Sequence, residues 1–156
     1  MKQIKSKLIL NTFDGTMKKL SINPKCTDSK VEFNIKYYNE EDILTKASII
    51  FKGVIAIDFE INYFDNFIGS ELFGFYEIFE TAAKINMLEK IFNNRLEGYL
   101  YHGNYNYDPN EEHDMLNYRE PLNEIIKKID NYRLYQQETG GGIFYILALD
   151  YEVAYR

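Results

Sequence analysis

The stretch Ile43-Leu44-Thr45-Lys46-Ala47-Ser48-Ile49-Ile50-Phe51-Lys52-Gly53-Val54-Ile55-Ala56-Ile57-Asp58-Phe59-Glu60-Ile61-Asn62-Tyr63 decides how the chain folds. Every odd position is apolar or small, and the even positions include Lys46, Ser48, Lys52, Asp58, Glu60 and Asn62. A period of two means strand, with one face in a core and the other in water. Twenty-one residues would extend ~70 Å at ~3.3 Å each, too far for a domain of this size. Gly53 is therefore the expected bend that divides the stretch into two strands.

Working outward, Val31, Phe33, Ile35 and Tyr37 alternate with Glu32, Asn34 and Lys36, which gives another amphipathic strand. Weaker strand patterns cover 4–12 and 17–22, joined by Asp14-Gly15, a turn dipeptide common in hairpins. Short connections favour antiparallel pairing. Downstream, 67–79 suits either a helix (Ile68, Leu72, Tyr76, Phe79) or a strand around Phe73-Gly74-Phe75. Residues 81–96 carry one apolar helical face of Ile85, Leu88, Phe92 and Leu96, and Gly98 is the expected stop. Pro121 opens a second helix over 121–129 with Leu122, Ile125, Ile126 and Ile129 on one face. Ile143 to Tyr151 read as a strand apolar on both faces up to Ala148, as in an inner strand, with 132–135 before it and Gly140-Gly141-Gly142 at the turn. The expected fold class is α+β: an N-terminal antiparallel meander of about five strands, two or three helices, and a C-terminal hairpin completing the sheet, within a single domain spanning 1–156.

Composition narrows the function classes. The 156 residues are 46% hydrophobic and 27% charged, so a disordered state is excluded. No apolar run approaches the ~18 residues of a membrane span. Cys26 has no disulfide partner in the chain. The first residues show no signal-peptide core, and a cytoplasmic location is expected. The net charge is −6, unevenly spread: residues 1–30 hold seven lysines and two aspartates, the remainder eleven basic and twenty-two acidic residues. An acidic body repels phosphate backbones and attracts basic partners, so nucleic acid and membrane are not expected as ligands. Fourteen Tyr and eleven Phe with no Trp suit half-wet recognition surfaces, although an A/T-rich genome produces the same bias.

The segment Tyr99 to Asp114 gathers both histidines, His102 and His113, with four tyrosines and four carboxylates. Tyrosine gives contact area with few rotatable bonds, and nearby acid favours Lys/Arg-rich partners. The expected contact residues are Tyr101, Tyr105, Tyr107, Asp108, Glu111, Glu112 and Asp114, joined by Asp58 and Glu60 on the polar face of the best strand. The expected function is non-catalytic recognition of a basic protein. Small bacterial immunity proteins, which cover a toxin's basic active face, work by this physics. The alternative is a metal-dependent hydrolase built on His102, His113 and the neighbouring carboxylates, although their spacing matches no metal signature. The triple glycine lacks the Lys-Ser/Thr of a phosphate loop, and no dinucleotide fingerprint occurs, so no cofactor is expected. Self-association is left open.

Overall fold

The structure, a computed structural model, describes residues 5–25, 27–63, 72–101, 110–111, 118–139 and 142–156. Its strands are β1 (Ser6–Leu10), β2 (Thr16–Asn23), β3 (Lys30–Tyr38), β4 (Leu44–Lys52), β5 (Ala56–Ile61), β6 (Phe75–Ile78), β7 (Arg133–Thr139), β8 (Gly142–Ala148) and β9 (Asp150–Tyr155). The helices are α1 (Thr81–Tyr101) and α2 (Glu120–Lys127), with a 3-10 turn at Ile129–Asn131. The strands make one compact unit and the helices a second. The α+β expectation holds in outline, with β-structure dominant.

In the strand unit every named pairing is antiparallel. Five strands run in the order β1-β6-β7-β8-β5 and four in the order β2-β3-β4-β9. The alternation over 43–63 becomes β4 and β5, divided at Gly53, whose φ is +62°. These two strands lie in different sheets. The other strand of the crossing is β8–β9, which switches sheets at Leu149. Leu149 N–H donates to the carbonyls of Lys52 (3.1 Å) and Gly53 (3.2 Å), and Ile55 N–H donates to Leu147 (2.9 Å). Lys52 is the register partner of Asp150, and Ala56 of Leu147. Two paired strands thus turn the same corner together, a known way to join packed sheets.

The odd positions 47–51 and 57–59 of the decisive stretch point between the sheets, while Ile43, Ile61 and Tyr63 at its ends are exposed. Val31, Phe33, Ile35, Ala47, Ile49 and Phe51 from the four-stranded sheet meet Phe75, Tyr135, Phe144 and Ile146 from the other, all buried. Phe33 is the hub. Its ring centroid lies 5.3 Å from Phe75 and 5.5 Å from Phe144, both edge-on at 76° and 81°. Phe51 sits 4.8 Å from Tyr135. Such tilted pairs satisfy the ring quadrupoles and add to the burial of each ring.

Several local expectations change. The five N-terminal strands do not form one meander: β2, β3 and β4 are sequential neighbours, while β1 and β5 join the other sheet. The Asp14-Gly15 turn closes with Gly15 N–H on Thr12 O (2.9 Å), yet β1 pairs with β6 and not with β2. A Cβ on Gly15 would stand 2.7 Å from Thr12 O and 2.9 Å from Tyr37 Cβ, so the turn lies tight against β3. Within 67–79, residues 75–78 are strand; residues 64–71 are outside the described set. Gly98 does not stop α1, because glycine inside a helix costs about 1 kcal/mol without forbidding it. The second helix ends at Lys127, and Ile129 is buried in the 3-10 turn. In the helix unit Arg119 donates two bonds to Glu89 (2.6 and 3.1 Å) with its guanidinium 5.0 Å from the Phe92 ring centroid. The hydrogen bond from Arg119 lowers the Glu89 carboxyl below the usual range.

Gly53→Ala adds a Cβ that would meet Leu149 Cδ1 at 2.6 Å, at a positive φ. Urea unfolding should show a loss of about 1–3 kcal/mol, smaller in a Leu149→Ala background; an unchanged midpoint contradicts the shared corner. Burial, then Tyr155, pushes the Tyr37 phenol up to about 12, and burial raises Tyr135 as well. Both phenols are held protonated, so their contribution is fully present below the ordinary value near 10 and is lost as pH rises through the folded values. Stability measured from pH 9 to 12 should fall above about pH 10, and Tyr37→Phe should flatten that fall.

Candidate functional site

Of the expected contact residues, Tyr105, Tyr107, Asp108, Glu112 and Asp114 are outside the described residues, as are His102, His113 and Cys26. The Tyr101 side chain is outside them too. Glu111 is described and exposed. The candidate site is therefore built from Asp58 and Glu60, which β5 places at the edge of the five-stranded sheet.

Strand register decides what stands beside them. Ile57 and Phe59 pack into the core, so the even residues Asp58 and Glu60 take the outer face. Across that face Asp58 is followed by Tyr145, Gln136 and Tyr76, each the register partner of the one before. The next row runs Glu60, Ile143, Glu138. Neighbouring strands are about 4.8 Å apart and alternate residues about 6.7 Å, so the three carboxylates fall within roughly 12 Å. Gln136 Nε2 donates to Glu138 Oε1 at 2.7 Å, which fixes that carboxylate across the strand surface. Glu60 and Ile143 are exposed; Asp58, Glu138, Tyr145, Gln136 and Tyr76 are half-buried.

Two cavities open beside these rows and share Glu138. One, of about 260 Å³, is lined by Ser6, Phe73, Gly74, Tyr76, Gln136 and Glu138. The other, of about 390 Å³, is lined by Glu60, Ile61, Asn62, Glu138, Thr139, Gly142 and Ile143. Beneath the first, Phe73 O accepts from Gln137 Nε2 (3.1 Å) and from Thr12 Oγ1, so its backbone wall is pinned from the core side. The surface is thus a firm sheet face bearing acid, phenol and amide groups, chemistry suited to accepting cationic donors.

Glu138, Tyr145, Gln136 and Tyr76 are not among the contact residues expected from the sequence. The signal for part of them was present: the glycines at 140–142 mark a tight hairpin, and counting back from it sets Glu138 opposite Ile143. The partnership of β8 with β5, which brings Glu60 into that row, has no local marker. Among the described residues no group of three or more His, Cys, Asp or Glu is arranged to hold a metal ion. Among them, too, no helix is long and apolar enough to cross a membrane. No family model, curated protein or solved structure matches the chain.

Proposed function

We propose that the protein is a non-catalytic binding module that recognises a basic protein partner through the acidic, tyrosine-bearing outer face of the five-stranded sheet. The observation that carries this reading is the pair of adjacent rows, Asp58–Tyr145–Gln136–Tyr76 and Glu60–Ile143–Glu138. Carboxylates so grouped raise the local negative potential and speed encounter with Lys/Arg-rich surfaces, while the phenols supply contact area at low entropic cost. The segment 99–114 carries the same chemistry in sequence. Inhibition of a toxin with a basic active face, in the manner of an immunity protein, is the finer form of this reading. It implies a toxin-like reading frame beside the gene.

Titration of the ¹⁵N-labelled protein with a nona-arginine peptide tests the face itself. Shift changes should concentrate on β5, β7 and β8, and the affinity should fall as salt rises. Replacing Asp58, Glu60 and Glu138 together by their amides should weaken binding about tenfold, given roughly 0.5 kcal/mol for each partly exposed pair. Undiminished binding by that variant, or shifts spread over the whole chain, would exclude this face.

A further inference from the structure

One end of the outer face of the four-stranded sheet has the opposite character, although the same face carries Glu32, Asp150 and Glu152 further along. Antiparallel register sets Lys36 directly against Lys46 on β3 and β4, and like charges so placed destabilise a sheet. Lys18 on β2 and Arg156, whose N–H donates to Lys46 O at 3.0 Å, line the same cavity of about 310 Å³. Lys18, Lys36 and Lys46 make no ion pair among the described residues; Arg156 has one, with Glu32 at 3.4 Å. Asn34 completes the wall. Its Oδ1 accepts from Ser48 Oγ (2.5 Å) and Arg156 Nη2 (3.1 Å), which leaves the carboxamide NH₂ as a donor in a fixed orientation.

We infer that this cavity is a binding site for a small, multiply charged anion of the phosphate class. Four cations and an amide donor converge where no lining residue is acidic, in a chain whose net charge is −6. The volume lies at the small end of the ~300–1,000 Å³ typical of ligand pockets, suited to a di- or triphosphate group and too small for a folded partner. Lysines act as point charges on such oxygens, and an arginine supplies a planar fork. An anion bound between Lys36 and Lys46 offsets the repulsion that the empty sheet carries.

Calorimetric titration of the full chain with inorganic pyrophosphate at low ionic strength tests this. One saturable site is expected, weakening as salt rises. Lys36→Gln combined with Lys46→Gln should weaken binding at least about tenfold, from the loss of two charge-assisted bonds, while raising the thermal midpoint of the free protein. Lys18→Gln, a change on an exposed side chain, should weaken binding in the same sense and stands in if the double variant does not fold. Lys25→Gln, in an exposed loop away from the cavity, should leave binding unchanged. Absence of saturable binding, unchanged binding in the Lys36/Lys46 and Lys18 variants, or an equal loss in Lys25→Gln would overturn the site. A fall in the thermal midpoint of both cavity variants would also overturn it, because folding and not ligand contact would then have been lost.

Discussion

Two neighbouring antiparallel strands leave one sheet for the other at the same point, and the rest of the strand unit depends on that crossing. At Gly53 the chain takes a left-handed turn with Leu149 lying against its Cα, and Leu149 N–H is shared between the carbonyls of Lys52 and Gly53. A side chain at position 53 would push that pair apart. With the turn in place, the alternation of 43–63 keeps its phase across the corner, so Ile49 and Phe51 before it and Ile57 and Phe59 after it face one core. Phe33, fixed on β3, then meets rings from both sheets.

The crossing also sorts charge. A strand that buries its odd residues must present its even ones, and the two sheets present them on opposite sides of the core. Asp58, Glu60 and Glu138 lie on one outer face, and Lys36 and Lys46 on the other, with Lys18 and Arg156 beside them. The two patches are separated by the packed sheets, about 10 Å from plane to plane. A net charge of −6 hides this arrangement, since it averages over both.

The strands were legible where period two is strong and a glycine marks the bend: β3, β4, β5 and the split at Gly53 follow from residues 31–63 alone. Strand partners were less so, because pairing is decided by residues far apart in the chain. Asp14-Gly15 has hairpin chemistry, yet its flanking strands diverge, since β1 finds β6 and β2 finds β3. The break at Leu149 has no glycine or proline to announce it; its cause is the pair of carbonyls at Lys52 and Gly53. Asp58 and Glu60 were legible as outward carboxylates from their own strand. Glu138 beside them, and Lys36 against Lys46, become neighbours only through register. The segmental charge count set a basic first thirty residues against an acidic remainder, whereas Lys36, Lys46 and Arg156 of the basic patch come from that remainder.

The central claim is that patches of opposite charge stand on the two outer faces, Asp58, Glu60 and Glu138 on one and Lys18, Lys36, Lys46 and Arg156 on the other, and paramagnetic co-solutes of either sign measure this without any ligand. A cationic nitroxide should selectively broaden the amide signals of Asp58, Glu60 and Glu138, and an anionic one those of Lys36 and Lys46. Equal broadening of both patches by both probes would contradict the account.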